Sequence, residues 1–261
     1  MADTYWLRQA ADEPLFPDVL WSRPENKRSA GKLLIVGGNL HSLAAVSQAY
    51  ADAIKAGIGT ARAILPDALA KTLGKIFPEA EFSTSTPSGS FARTALDQLL
   101  DSAAWGDGVL LAGDFGKNSE TAILLETFVQ KYSGPLTITG DSVDYFISNH
   151  DLLARTKTTL ALEFSQLQKL MSNQGRAVKS SMDLAQLVSS LHNWTEGVSV
   201  GIVCSHSGQS ICAHGGQIAT MTGLRALGEL ATHIGVWQLW QPAKPFESFS
   251  CAIYELETKG A

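Results

Sequence analysis

Residues 31–66, GKLLIVGGNLHSLAAVSQAYADAIKAGIGTARAILP, constrain the fold of this chain more than any other stretch. Leu33-Leu34-Ile35-Val36 is an unbroken apolar run. A run that does not alternate belongs to a strand covered on both faces, as in a parallel sheet. Gly37-Gly38-Asn39 breaks it, because glycine takes backbone angles that other residues resist. Leu43, Val46, Ala49, Tyr50, Ala53 and Ile54 then recur at spacings of three and four, which predicts a helix with one apolar face. Gly57-Ile58-Gly59 closes that helix, and Ala61 to Leu65 reads as the next strand. The unit is βαβ, with a glycine turn at the carboxyl end of its first strand, where open α/β sheets bind ligands. The turn has neither the Gly-Lys-Ser/Thr of a Walker loop nor the GxGxxG dinucleotide spacing. A bare tight turn and a ligand-holding turn both fit it.

The pattern repeats downstream. Pro66 to Phe77 predicts a short amphipathic helix, Phe77 to Phe82 a short strand, and Thr84 to Gly89 a loop. A helix is expected over Phe91 to Ala103, then a buried strand over Gly108 to Ala112. That strand ends in the polar turn Gly113-Asp114-Phe115-Gly116-Lys117-Asn118. A helix over Glu120 to Gln130 and a strand over Pro135 to Thr139, closed by Gly140-Asp141, come next. Two short helices bracket a strand near Thr158 to Leu162, and Met182 to Leu191 is helical. Val198 to Cys204 and Gln209 to Ala213 read as a late hairpin. A long helical tract from Thr222 to Trp240, with Thr222 as N-cap, and a final helix over Phe246 to Glu257 complete the chain. Alternating strands and helices predict an α/β fold: a three-layer α/β/α domain spanning 1–261, its central sheet mostly parallel with a late antiparallel hairpin. Residues 1–30, with Pro14, Pro17 and Pro24, read as an N-terminal packing arm.

Composition narrows the function. Hydrophobic residues at 45% and charged residues at 17% are globular values. A net charge of −5 disfavours nucleic acid as the main partner, because phosphate neutralisation needs a basic surface. No apolar run approaches membrane-spanning length, and the first residues lack the apolar core of a secretory signal. Three scattered cysteines suit a reducing compartment. A cytoplasmic protein that takes a small-molecule ligand, and that forms a homo-oligomer, is the expectation.

The turns after successive strands should gather at one sheet edge, bringing Asn39, His41, Asp114, Lys117 and Asp141 together. Thr222-Gly223, read as the amino end of a helix, would offer backbone N–H groups to a phosphate. This is the outline of a nucleotide site without a general base, since Leu224 and Arg225 follow. Cys204-Ser205-His206 and Cys212-Ala213-His214 form a second constellation. Within each triplet the cysteine and histidine share a strand face. Four such ligands could meet a zinc ion across a hairpin, but the spacing is uncommon for zinc and packing is the preferred reading. Ser205 and His206 are not a triad, because adjacent strand residues face opposite ways. His233, Trp237 and Trp240 at helical spacing read as core.

On these residues the chain resembles the ADP- or ATP-dependent NAD(P)H-hydrate dehydratase family, of ribokinase-like fold. The strand into Gly37-Gly38, the alanine-rich helix and Ala56-Gly57-x-Gly59 are similar to the family's opening, and Arg23-Pro24 to its Arg-Pro segment. Ala112 to Gly116 resembles its Gly-Pro-Gly-Leu-Gly loop, with Gly116 kept. Pro135 to Asp141 resembles its strand ending in Asp-Ala-Asp, with Asp141 kept. Leu162-Glu163-Phe164 is similar to the end of Pro-His-Pro-Gly-Glu-Phe. Ile218 to Gly223 is similar to Met-Ala-Thr-Gly-Thr-Gly, and Pro245 to Tyr254 to the last helix. The resemblance implies binding of ADP or ATP with Mg²⁺ and repair of hydrated NADHX or NADPHX. The nucleotide and substrate residues it implies are Gly37, Gly38, Gly116, Asp141, Glu163, Thr222 and Gly223, and the gathered turns add Asn39 and His41. Departures accompany it. Leu224 stands at the family's catalytic Asp, Cys204 at its Lys, Thr139 at its first acid, and the histidine is missing near Ala161. A catalytically inactive homologue that binds a nucleotide or a protein partner is the alternative, and a small-molecule kinase is the third reading.

Overall fold

Covering both faces of an apolar strand takes two helix layers, and the chain builds both. The computed structural model describes residues 5–223 and 225–258. β1 (Trp6–Gln9) and the short helix α1 (Pro17–Trp21) precede β2 (Lys32–Gly37). Leu33, Leu34, Ile35 and Val36 are each at most 1% exposed, as their unbroken run requires. In α2 (Ala44–Ala56) Val46, Ala49 and Ala53 are buried, whereas Ile54 is 48% exposed and leaves the expected apolar face. Gly57 ends α2 in the left-handed region, at φ +99°. β3 (Thr60–Pro66) then pairs parallel with β2.

The expected helix after Pro66 is only a 3-10 turn (Asp67–Leu69) and one α turn, α3 (Ala70–Leu73), before β4 (Ala80–Ser83). α4 (Leu96–Trp105) starts five residues later than the sequence pattern, because Phe91 is pinned under α5 (Ser119–Lys131). Its carbonyl accepts the Thr121 hydroxyl at 2.7 Å. Between these helices lies β5 (Gly108–Gly113). β6 (Leu136–Ile138), α6 (His150–Ala154), β7 (Thr158–Leu162), α7 (Phe164–Asn173) and α8 (Leu184–Thr195) follow. β8 (Gly201–His206), β9 (Gln209–His214), β10 (Gln217–Thr222), α9 (Leu227–Trp240) and α10 (Pro245–Thr258) complete the chain.

Among the described residues all ten strands join one sheet, in the order β1-β10-β9-β8-β7-β6-β5-β2-β3-β4. Only β9 is antiparallel to its neighbours, β8 and β10. Leu34 and Val36 point to a core shared with Leu99 of α4, Phe128 of α5, Leu167 of α7 and Leu187 of α8. Leu33 and Ile35 point to the opposite core, with Val46 of α2, Trp237 of α9 and Phe249 of α10.

Two sequence expectations are corrected. The tract from Thr222 to Trp240 is not one helix. Residues Ile218 to Met221 are buried in β10, which lies between β9 and β1, and the helix begins at Leu227. Gly215 and Gly216, both at positive φ, make the hairpin turn between β9 and β10. The first thirty residues are more than an arm, since β1 pairs parallel with β10 as an edge strand, Trp6 beside Ile218. Among the described residues no helix is long and apolar enough to cross a membrane.

Candidate functional site

The order of connections reverses beside β2. β2 passes through α2 to β3 on one side, and β5 passes through α5 to β6 on the other. Their carboxyl-end loops diverge there, at the position where open α/β sheets place ligands. Gly37 is required for the close approach of the two strands, because a Cβ on it would run into the Gly113 carbonyl and Val46. Gly38, at φ +83°, donates its N–H to the Gly113 carbonyl at 3.0 Å. Asn39 is buried. Its Nδ2 donates to the Asp114 carbonyl at 2.6 Å, and its Oδ1 accepts the His41 N–H at 2.8 Å. Asp114, itself at φ +60°, accepts the Ala45 N–H at 2.8 Å and so satisfies the first turn of α2. These bonds tie the β2 and β5 loops together, so Gly37, Gly38 and Asn39 act as the frame of the site.

The open space lies one strand further on. A cleft of about 500 Å³ at the amino end of α5 is lined by Gly116, Lys117, Asn118, Asp141, Asp144 and Tyr145. Asp141 shapes it by accepting the Phe115 N–H at 3.2 Å and the Gly116 N–H at 2.9 Å. Burial pushes its carboxyl above the ordinary carboxylate range. Asp114 and Asp144 push the same way, against the two N–H groups. Tyr145 donates its hydroxyl to the Gly116 carbonyl from the other side. Lys117 and Asp144 are exposed and bring opposite charges to the cleft. The Asn118 side chain caps α5 through the N–H groups of Glu120 and Thr121.

The remaining sequence candidates sit elsewhere along the same edge. His41 is exposed and lies outside the cleft. Glu163 is exposed at the N-cap position of α7. There Gln166 accepts the Glu163 N–H at 3.1 Å and donates to the Gly140 carbonyl at 3.0 Å, linking the loops after β6 and β7. Thr222 and Gly223 lie five strands from β5, roughly 24 Å at the usual ~4.8 Å spacing. They do not open a helix. Thr222 Oγ1 accepts from Gln209 at 2.8 Å, and the Gly223 N–H is spent on the Gly208 carbonyl at 3.1 Å. Leu224 lies outside the described residues.

The zinc reading of the hairpin fails on register. Cys204 belongs to the core under α7 and α8, whereas Cys212 belongs to the core under α9 and α10. The histidines divide with them. His206 stacks on Phe164 at 4.5 Å, with Nε2 3.0 Å from the Met182 carbonyl, and His214 meets Phe249 edge-on at 6.0 Å. Burial pushes the Cys204 thiol up to about 12 and raises that of Cys212. Among the described residues no group of His, Cys, Asp and Glu converges on a metal position.

Asp144, Tyr145 and Asn118 were not singled out from sequence. Asp144 and Tyr145 follow Asp141 at spacings of three and four within a 3-10 helix (Gly140–Tyr145), a signal that was present. Arg225 and Glu257, an ion pair at 3.4 Å, meet only through tertiary structure, and nothing local marks them.

No family model and no curated protein matches the chain. Solved structures do. A ribokinase-like superfamily protein of Enterococcus faecalis superposes over 100% of this chain and 89% of its own, with TM-score 0.74 and 17% identity. The ADP/ATP-dependent NAD(P)H-hydrate dehydratase of Bacillus subtilis, co-crystallised with ATP/Mg²⁺, superposes over 95% of this chain and 88% of its own, with TM-score 0.63 and 12% identity. A ribokinase of Cryptococcus neoformans in complex with ADP covers 85% of this chain and 95% of its own, with TM-score 0.52 and 12% identity. The chain has the ribokinase-like fold.

Proposed function

We propose that this chain binds a magnesium nucleotide in the cleft beside Asp141 and does not transfer its phosphoryl group at an enzymatic rate. The observation that carries the binding is the cleft itself. It is built on loops fixed by Asp141, and it sets Lys117 beside Asp144 at the carboxyl edge of the sheet. Lys117 suits a phosphate as a point charge. Magnesium is held by one or two carboxylates together with substrate phosphates. Asp144 is free to supply a carboxylate of that kind, and Asp141, with two N–H groups already on it, would act at most through water. Bound there, the ion would neutralise phosphate charge.

The loss of chemistry rests on Leu224, which follows Thr222-Gly223 in the sequence where the resembled family has its Asp. Leucine can neither accept a proton nor hydrogen-bond a hydroxyl. Losing a positioned general base costs about 10²–10⁴-fold in rate.

Two active readings compete. The named activity of the Bacillus neighbour, together with the motif resemblance, supports an NAD(P)H-hydrate dehydratase acting on NADHX or NADPHX. The ADP-bound ribokinase supports a small-molecule kinase. Recovery of NADH from freshly prepared hydrate, with ATP or ADP and Mg²⁺, tests the first. The unmodified protein is expected to work near background, and Leu224→Asp to stay there, because Gly223 stands roughly 24 Å along the edge from the cleft, beyond hydrogen-bond reach of a ligand in it. Rapid turnover by the unmodified protein would assign it the dehydratase activity and refute the proposal.

A further inference from the structure

At the amino edge of the sheet, opposite the Asp141 cleft, a half-buried cation meets no acid. Arg155 follows α6, and its guanidinium ties the chain leaving α5 to the start of β7. Nη2 donates to the carbonyls of Tyr132 at 2.6 Å and Gly134 at 2.7 Å. Nη1 donates to the Thr158 hydroxyl and, at 3.4 Å, to the Thr156 carbonyl. All of these partners are neutral. Among the described residues Arg155 forms no ion pair, and its Nε–H has no hydrogen-bond partner. Burial pushes its pKa below the ordinary arginine value, and only Tyr132 opposes this. The neutral bonds fix the guanidinium in place and leave its charge uncompensated, which is costly away from water.

The same side chain lines a cavity of about 480 Å³, a size that suits a small molecule. Val129, Tyr132 and Leu152 give the cavity an apolar wall. Asp151 and Ala154 stand exposed at it, and Asp151 is the one acid lining it among the described residues. A carboxylate meets a fixed guanidinium with charge-assisted hydrogen bonds. A second negative charge is disfavoured. Asp151 repels it, and the cavity borders the carboxyl end of α5, where the helix dipole is negative. A monoanion with an apolar body fits this balance better than a phosphate dianion does.

We propose that this cavity binds a small monocarboxylate, with its carboxylate on Arg155 and its apolar body against Val129, Tyr132 and Leu152. The cavity and the Lys117 cleft lie at opposite edges of the sheet, so the proposal does not depend on the nucleotide reading.

The test is calorimetric titration of the protein with benzoate, and with benzamide as its uncharged counterpart. Benzoate is expected to bind with a Kd of about 1 mM or lower, at least tenfold more tightly than benzamide. Asp151→Asn removes a like charge without touching the bonds of Arg155, and at least threefold tighter benzoate binding is expected. Ala154→Glu adds a like charge at the exposed wall, and at least a tenfold loss is expected. Arg155→Gln is expected to abolish binding. Because that variant also loses the ties to Tyr132 and Gly134, the two surface variants decide the matter where it fails to fold. No saturable benzoate binding, equal binding of benzamide, or binding retained by a folded Arg155→Gln overturns the proposal. So does an affinity that fails to move in the stated direction in either surface variant.

Discussion

Single polar residues in this protein mostly serve as ties, and one of them is incompletely tied. Asp52 is 4% exposed on α2 where it packs against α9. Gln48 donates to its Oδ1 at 2.9 Å, while Oδ2 has no partner among the described residues. Burial raises its carboxyl and Glu229 adds to this, while Gln48, His233 and Lys55 oppose it. A carboxyl raised in the folded state contributes fully below its unfolded value, and that contribution is lost as pH rises through the folded value. Asp52→Asn is therefore expected to be the more stable protein at neutral pH. Asparagine keeps the Gln48 bond and removes the desolvated charge, a change worth about 1–3 kcal/mol. The advantage should vanish in acid, where neither side chain is charged, and thermal unfolding across pH reads it directly. A variant no more stable than its parent at neutral pH would show that the neighbours already compensate the charge. Gly37 works by absence of a side chain. Gly37→Ala forces β2 and β5 apart, and overpacking of this kind costs about 1–3 kcal/mol. A lower midpoint in urea at unchanged slope is expected, and an unchanged midpoint contradicts the geometry.

At the scale of elements, the β8–β9–β10 hairpins put neighbouring cysteines on opposite faces of the sheet. The native protein should therefore react with thiol reagents only on unfolding, and should purify with well under one zinc per chain by elemental analysis. One firmly held zinc per chain would mean that the register is wrong. The elements also show what was legible in the sequence. β2, α2, β3, β5 and α5 were readable because unbroken apolar runs and 3.6-residue periodicity are local signals. β10 was not. Its Ala219, Thr220, Met221 and Thr222 alternate over too few residues to mark a strand by themselves, and they become one because β9 and β1 flank them. β1 was missed for the same reason, since its partner lies more than two hundred residues away. Site residues divide likewise. Asn39 and Asp141 stand at the ends of readable strands, whereas the partners of Glu257 are set by how α10 docks.

For the whole molecule, two helix layers on a nearly parallel sheet place every βα loop on one edge, and this is why a shared fold admits several chemistries. Here that edge is braced at the β2–β5 reversal and open beside Asp141. That opening is expected to take a nucleotide. Titration calorimetry of the unmodified protein with ADP and Mg²⁺ tests it most directly. Saturable binding below millimolar concentration, weakened at least tenfold in Lys117→Glu, is the predicted result. No heat of binding up to millimolar ADP, or binding indifferent to Lys117, would contradict it.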